Sequence, residues 1–247
     1  MDNTRMPGSH RNMSKIPKWT YDEMKQTGVD YASVEEVQRY DEMHQRFRDY
    51  EKDSDAIIKL LELNSKSTVI DMGAGTGAFA LHSAKHCRKV YAVDVSSAML
   101  NRCRKKVEEM GLSNVLYCHG GFLTYEHEAE PADAMVSIAV LHHLPDFWKL
   151  VGLTRAAEML KAGGRFFLFD IVFPPEATEL EDRINTWIRS IAKQSGRELA
   201  AEAEIHIREE YSTYDWIMEG LLERAGFEIE NAEYGDGFQA TYICIRR

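Results

Sequence analysis

The chain has 247 residues, 44% of them hydrophobic, and its 40 acidic and 30 basic side chains give a formal charge of -10 at pH 7. This size and hydrophobic share fit one globular domain with an appended cap, and exclude two full domains or a wholly disordered chain. Nucleic-acid binding normally needs a basic stripe that replaces counterions on phosphates, so the acidic balance disfavours RNA and DNA as partners.

The N-terminal segment and the cysteines indicate the compartment. Residues 1–18 are polar, lack the apolar run of a signal peptide and are predicted to form a flexible arm. No segment reaches the roughly 20 apolar residues that a membrane helix needs. The four cysteines show no pairing at metal-type spacing. We therefore predict a cytoplasmic protein with no membrane association and no bound metal.

Helical spacing begins near residue 34. Apolar and aromatic residues recur at helical intervals from Val34 to Tyr50, and a second predicted helix follows. Its expected core face is Ile57, Ile58, Leu60 and Leu61. The first helix carries an aromatic face that either closes over a ligand or packs on the core. That face consists of Tyr31, Tyr40, Phe47 and Tyr50, with His44 beside it.

Beyond residue 60 the chain alternates between short apolar runs and amphipathic helical patterns. The strand-like runs are Ser67–Met72, Val90–Asp94, Val115–Cys118, Ala134–Ala139 and Arg165–Ile171. The helical patterns between them are Ala78–Cys87, Ser97–Met110 and Phe147–Leu160. This alternation predicts an α/β fold whose parallel sheet is covered by helices on both faces. Right-handed crossovers then bring the strand-to-helix loops to the carboxyl edge of the sheet, where ligands bind.

The pattern changes after the fifth strand. Residues 173–211 form a charged and mostly helical stretch with two prolines near its start. The remaining predicted elements are a core helix and a closing pair of strands: Tyr214–Ala225, Phe227–Ile229 and Thr241–Ile245.

A glycine-rich loop follows the first strand, in the segment Asp71-Met72-Gly73-Ala74-Gly75-Thr76-Gly77. Glycines let a backbone turn sharply and approach a ligand with no Cβ in between, and the next helix offers free N–H groups. The spacing is GxGxG, with Ala78 where a dinucleotide site would have its third glycine. The leading aspartate suits a cationic ligand better than a pyrophosphate. The alternative is a tight turn that needs small residues for packing alone.

Asp94 ends the second predicted strand. An acid about 20 residues after such a glycine loop typically accepts hydrogen bonds from a ribose diol. The alternative is an N-cap or turn aspartate before the helix that follows, and one carboxylate can also bind the ribose.

Four segments in order resemble the motifs of the class I S-adenosylmethionine-dependent methyltransferases. They are Val69–Gly77, the strand ending at Asp94, Asp133–Leu144 and Leu160–Leu168. The resemblance covers residues 54–247 and is closest in type to small-molecule enzymes such as the methyltransferases of ubiquinone and menaquinone biosynthesis. It implies a Rossmann-like sheet of seven mostly parallel strands with an antiparallel last strand. Residues 19–53 would be a helical N-terminal cap, and residues 173–211 a variable cap inserted after the fifth strand.

The resemblance also implies the cofactor, S-adenosylmethionine, with S-adenosylhomocysteine as its product. Gly73, Gly75 and Gly77 would line the methionine portion, and Asp94 would hold the ribose hydroxyls. The other expected cofactor contacts are Asp71, Ala74, Val95, Met99, Gly121, Phe122 and Ala139. Val95 and Met99 would pack on the adenine. Many relatives carry an acid after the third strand that bonds the adenine amino group. Gly121 and Phe122 stand there instead, so backbone groups and the Phe122 ring are expected to replace it.

His142 and His143 follow the fourth strand and are the candidate catalytic residues. A base is needed only if the acceptor loses a proton on methylation, and the imidazole pKa suits that task. Adjacent side chains usually face different ways, so we expect at most one of them to point at the acceptor. The alternative is that the pair stacks on the cofactor or packs the cap.

Several side chains near the insertion are candidates for contact with the acceptor. Aromatic residues there suit a small and partly apolar molecule. The candidates are Trp187, His206, Tyr211, Tyr214 and Trp216. Asp170 either touches the acceptor or caps the loop that follows.

The leading hypothesis is methylation of a small molecule at O, N, S or C by a monomer or homodimer. A methyltransferase acting on a protein or tRNA would need a basic or extended groove in the cap. A non-catalytic binder of S-adenosylmethionine or S-adenosylhomocysteine would lack a cavity beside the methyl position. A nicotinamide-dependent enzyme is disfavoured because the third glycine of the GxGxxG pattern is missing.

Overall fold

The computed structural model describes residues 17–25, 27–28, 37, 49–174, 179–235 and 238–247. Residues 1–16 of the predicted arm lie outside this part of the chain. So do Tyr31 and most of the predicted Val34–Tyr50 helix, including Tyr40, His44 and Phe47.

The described residues form alternating strands and helices followed by a helical pair and a closing hairpin. The strands are β1 (Thr68–Met72), β2 (Lys89–Asp94), β3 (Val115–His119), β4 (Ala132–Ile138), β5 (Leu160–Phe173), β6 (Thr213–Tyr214), β7 (Phe227–Tyr234) and β8 (Gln239–Arg246). The helices are α1 (Tyr50–Leu60), α2 (Ala78–Ala84), α3 (Ser97–Glu109), α4 (Asp146–Met159), α5 (Leu180–Ser195), α6 (Arg197–Glu209) and α7 (Asp215–Arg224). A short 3₁₀ turn, Leu141–His143, joins β4 to α4.

The strands pair in the order β3-β2-β1-β4-β5-β8-β7. Strands β1 to β5 run parallel, and β8 lies antiparallel between β5 and β7. The two-residue β6 pairs with the end of β5 outside this path. The predicted Rossmann-like sheet with an antiparallel last strand is therefore confirmed. The strand order reverses between β1 and β4, and in such sheets ligands bind beyond the carboxyl ends at this point.

Each face of the sheet has its own apolar core. Along β1, Val69 packs into one cluster while Ile70 and Met72 pack into the other, as expected when successive side chains alternate across a strand. Helix α1 contributes Ile57 and Leu61, which are almost fully buried. Burial on both faces explains why these strands are nearly continuous apolar runs.

Several details of the elements differ from the sequence prediction. Leu60, predicted to belong to the core face, is 45% exposed, because the buried face of α1 is formed by Ile57 and Ile58. Strand β5 begins at Leu160, which pairs with Ala132 across a register shift. Helix α2 ends at Ala84 and continues as turns.

The predicted insertion forms two helices, α5 and α6, which pack against each other. No residue of α5 is fully buried, and its apolar side chains lie only partly covered. Among the described residues no helix is long and apolar enough to cross a membrane.

Candidate functional site

A cavity of about 1090 Å³ lies at the carboxyl edge of the sheet. This volume exceeds the range of roughly 300–1,000 Å³ that is usual for one small ligand, so two molecules can lie side by side. Its lining joins the glycine loop and Asp94 to the 3₁₀ turn after β4 and to the inner faces of α5 and α6. The N-terminal segment also contributes to the lining, through Tyr21, Glu23, Lys25 and Thr27.

Backbone hydrogen bonds hold the glycine loop against β2. The N–H groups of Gly73 and Ala74 donate to the Val93 carbonyl at 2.8 and 2.9 Å. Gly73 has φ 79° and Gly75 has φ 55°, both in the left-handed region that favours glycine.

The glycines of this loop are required for different reasons. A Cβ on Gly73 would lie 2.2 Å from a methyl group of Val140, and one on Gly77 would lie 2.4 Å from the Cys103 sulfur. A Cβ on Gly75 would meet nothing within 4 Å. Packing therefore explains Gly73 and Gly77. At Gly75 the open space is part of the cavity, which is the arrangement expected where a ligand approaches the backbone.

Asp94 joins the loop to the end of β2. Its Oδ2 accepts from the Gly75 N–H at 2.8 Å, and its Oδ1 accepts from the Ser96 N–H at 2.7 Å. Burial raises the pKa of this carboxyl. The N-cap of α3 is Ser96, whose hydroxyl accepts from the Met99 N–H at 3.2 Å. Asp94 is therefore not the N-cap of α3, but its bond to the Ser96 N–H makes it a turn aspartate before this helix, and its carboxylate also lines the cavity.

Asp71 lies beneath the loop and is 4% exposed. Its Oδ2 has no hydrogen-bond partner among the described residues. Burial and the nearby Asp94 carboxylate raise the pKa of Asp71 to about 7. Two buried carboxyl groups next to an open cavity favour a ligand that carries positive charge, and Asp71, just before the glycines of the loop, would repel a pyrophosphate.

The pKa of Asp71 predicts an unusual pH dependence of stability. Its folded value of about 7 lies above the ordinary 3.8, so folding takes up a proton between these values. The contribution of Asp71 is full below the ordinary value and is lost as the pH rises through about 7. Asp71→Asn does not titrate, and we expect it to unfold at a higher temperature than the unchanged protein at about pH 8.

Asp133→Asn is the matched control for this measurement. Despite partial burial, a hydrogen bond from Lys161 lowers the pKa of Asp133, so its contribution is present at neutral pH and lost in acid. Asp133→Asn should therefore lower the unfolding temperature at about pH 8. An Asp71→Asn protein that is less stable than the unchanged protein at this pH would contradict the assignment.

Other predicted cofactor contacts also meet at the cavity. Those in its lining are Gly73, Gly75, Asp94, Val95, Met99, Gly121, Phe122 and Ala139, whereas Asp71, Ala74 and Gly77 lie behind it. Phe122 is only 2% exposed and packs closely on Gly152, so most of its ring belongs to the core. Ala139 has φ 56°, a strained conformation for a residue with a side chain.

Glu23 is a site residue that the sequence prediction missed. It lies in the N-terminal segment and lines the cavity beside Gly121. Its carboxylate accepts from the Leu123 N–H at 2.9 Å and from the Thr124 hydroxyl at 2.6 Å. Burial raises the pKa of Glu23. An acid from a distant part of the chain therefore lies beside the loop after β3.

The predicted histidine pair lies in a buried polar cluster. His142 Nδ1 lies 2.5 Å from Asp170 Oδ1, and His142 Nε2 lies 3.3 Å from Glu210 Oε2. His206 contacts the same Glu210 oxygen. Burial opposes protonation of His142, but the two carboxylates outweigh it and raise the pKa of the ring.

His143 has different surroundings from its neighbour. Its Nδ1 is buried and, within the described part of the chain, has no hydrogen-bond partner. Burial and the adjacent His142 ring lower the pKa of His143 to about 4, so this imidazole is neutral near pH 7. Both rings line the cavity. Lining the cavity does not show which ring faces an acceptor, so the expectation that at most one of the pair points at it stays a prediction.

The structure separates the candidates for acceptor contact. Trp187 and His206 line the cavity, whereas Tyr211, Tyr214 and Trp216 do not. Trp216 is 61% exposed. Asp170 is fully buried and lies outside the lining, where it binds His142. The sequence prediction for Asp170, either contact with the acceptor or a cap on the following loop, did not include this hydrogen bond to His142.

Comparison with known proteins gives consistent matches. A methyltransferase-domain family model matches residues 69–164, which include the glycine loop, Asp94 and the histidine pair. An uncharacterised methyltransferase from Geobacillus sp. (strain WCH70) is 27% identical over 194 residues, which cover 78% of this chain and 83% of that protein.

Two solved structures share the fold. An S-adenosylmethionine-dependent methyltransferase from Clostridium acetobutylicum has a TM-score of 0.64 at 13% identity, covering 86% of this chain and 98% of that one. Magnesium protoporphyrin IX methyltransferase from Synechocystis PCC 6803, with bound S-adenosylhomocysteine, has a TM-score of 0.57 at 16% identity and covers 89% of each chain.

Proposed function

Because this chain belongs to the class I S-adenosylmethionine-dependent methyltransferase superfamily, we propose that it methylates a small molecule at O, N, S or C. The observation that carries this proposal is the cavity of about 1090 Å³, which has room for donor and acceptor together. A non-catalytic binder would not need the second space. A formal charge of -10 speaks against a tRNA acceptor.

The donor would occupy the part of the cavity formed by the glycine loop. We assign its ribose hydroxyls to Asp94 and its adenine to the Val95, Met99 and Gly121 region, near Glu23. The methionine portion would pass over Gly75, where no Cβ intervenes. Asp71 would balance the positive charge of the donor from beneath the loop, and Gly73, Ala74 and Gly77 would shape the loop. When bound, S-adenosylmethionine supplies an activated methyl carbon.

The acceptor would lie under the cap, beside the histidine pair. Apolar side chains from both cap helices, including Trp187, Ile191 and Leu199, line this part of the cavity. Phe122 and Ala139 would bound the space between the two molecules. We assign His142 and His143 to contact with the acceptor, because both are in the lining and neither is needed for the donor. The protein's main task would be to align the acceptor atom with the methyl group and exclude water.

We assign residues 54–247 to the methyltransferase domain and residues 173–211 to its acceptor cap. We also propose that the protein acts in the cytoplasm, as a monomer or homodimer. The free state of all four cysteines is consistent with a reducing compartment.

A screen of metabolite extracts with isotopically labelled S-adenosylmethionine tests the proposed activity. We expect the intact protein to transfer label to a small, partly apolar compound. No transfer to any small molecule, together with transfer to protein or tRNA, would contradict the proposal.

Trp187→Ala is expected to raise the KM for that acceptor several-fold, because it removes an aromatic wall from the acceptor space. It should leave the affinity for S-adenosylhomocysteine unchanged. Trp216→Ala is the matched control, since this exposed ring lies outside the lining. A KM that responds equally to both substitutions would contradict the placement of the acceptor.

A further inference from the structure

A cluster of metal-ligand type lies on the acceptor side of the cavity. One nitrogen from each ring of His142 and His143 and one oxygen of Glu210 all lie within 4.8 Å of one another. We propose that these three residues bind a divalent transition-metal ion, best matched by zinc, with one coordination position open to the cavity.

The donor set and spacing fit this ion. Tetrahedral zinc has bonds of about 2.0–2.2 Å, which place its donor atoms roughly 3.3–3.6 Å apart. The distance from His142 Nε2 to Glu210 Oε2 is 3.3 Å. Two histidines and one glutamate with a fourth position left open form a known ligand set of catalytic zinc sites.

A second layer of contacts orients the ligands. Asp170 lies against Nδ1 of His142, where its carboxylate can accept a proton from this nitrogen, and in the neutral ring Nε2 would be free to bind an ion beside Glu210. A carboxylate behind a ligating histidine is typical of metal sites. His206 holds Glu210 from the other side and is itself bound to the Ser212 hydroxyl at 2.7 Å.

His143 provides an independent observation. Its Nδ1 is the only side-chain atom of this cluster that is buried without a hydrogen-bond partner in the described part of the chain. An unpartnered buried nitrogen costs free energy, and coordination of a cation by this Nδ1 would offset that cost.

Backbone contacts hold the ligands together before any ion arrives. The Tyr211 N–H donates to the His142 carbonyl at 2.8 Å, which ties the residue after Glu210 to the histidine turn. The fully buried Lys149 donates to the Tyr211 carbonyl, and the Tyr21 hydroxyl donates to the His143 carbonyl at 3.0 Å. Because these contacts fix the backbone around the three ligands, only modest shifts of their side chains would be needed to bind the ion.

The open position identifies a class of acceptor. The ion would take an oxygen, nitrogen or sulfur atom of the acceptor and orient it beside the methyl group. This role rests on the proposed function, whereas binding of the ion does not. The histidine pair would then reach the acceptor through the ion instead of taking its proton.

Zinc binding to the chelator-treated full chain tests the proposal. We expect one zinc ion per chain, measured by competition with a chromophoric chelator and by elemental analysis. Glu210→Gln and His143→Gln should each weaken zinc binding by at least about tenfold, and Asp170→Asn by about 10–100-fold, as for other residues behind a metal ligand. His86→Gln, at an exposed histidine, should leave it unchanged.

Two further readouts keep the outcomes distinct. Cobalt(II) bound to the unchanged protein should give the strong visible absorption of a four- or five-coordinate site. Absence of zinc binding, a zinc affinity in Glu210→Gln and His143→Gln equal to that of the unchanged protein, or a six-coordinate cobalt spectrum would overturn the metal site. S-adenosylhomocysteine binding without zinc would overturn the site and keep the proposed function, and zinc binding without S-adenosylhomocysteine would do the reverse.

Discussion

Asp94→Ala is expected to weaken S-adenosylhomocysteine binding by on the order of 100-fold, because hydrogen bonds to a charged group contribute about 1.5–3 kcal/mol each. The substitution removes the acceptor assigned to the ribose hydroxyls. It also releases the Gly75 and Ser96 N–H groups, which Asp94 holds at 2.8 and 2.7 Å. The glycine loop therefore loses its link to the end of β2 at the same time.

Calorimetric titration of the variant with S-adenosylhomocysteine measures this effect. Asp133→Asn is a suitable control, because it alters a carboxylate at the opposite end of the strands, where Asp133 accepts from the Thr68 N–H at 2.7 Å. Asp94→Asn keeps one carbonyl oxygen and should fall between the unchanged protein and Asp94→Ala. Unaltered affinity in Asp94→Ala would contradict the assigned role.

Gly75→Leu is expected to abolish measurable S-adenosylhomocysteine binding while the protein still folds. The new side chain would enter the space that Gly75 leaves open to the cavity, where a Cβ meets nothing within 4 Å. The left-handed backbone at φ 55° adds a stability cost of about 1–2 kcal/mol.

Gly111→Leu separates the loss of binding from backbone strain. Gly111 has φ 67° and equally open space around its Cβ position, but it lies outside the cavity lining. Both variants should lose similar unfolding free energy in denaturant titrations, and only Gly75→Leu should lose the ligand. Equal ligand affinities in the two variants would show that Gly75 does not face the donor.

Local patterns were sufficient to predict most of the fold and the donor side of the site. The glycine loop and Asp94 directly follow buried strands, and parallel strands bring their carboxyl ends to one edge. A residue's position at a strand end therefore predicts its place in the molecule. Boundaries such as the start of β5 at Leu160 depend on pairing with Ala132 across an irregular register, which no local pattern reports.

The acceptor side could not be predicted in the same way. Glu23 and Glu210 reach the cavity from segments far from the motifs, and single acids on polar segments carry no periodic signal. The sequence prediction of no bound metal rested on the scattered cysteines, whereas the proposed ligands combine a histidine pair with a distant glutamate. The partner of His142 is Asp170 on β5, a contact made by strand pairing and not by chain proximity.

Calorimetric titration of the intact chain with S-adenosylhomocysteine, alongside a nicotinamide dinucleotide, tests the central claim most directly. We predict that one S-adenosylhomocysteine binds per chain and that the dinucleotide does not bind, because Asp71 repels its pyrophosphate and Ala78 stands where a dinucleotide site has its third glycine. Binding of the dinucleotide with none of S-adenosylhomocysteine, or binding of neither, would contradict the assignment of this cavity to a methyl donor.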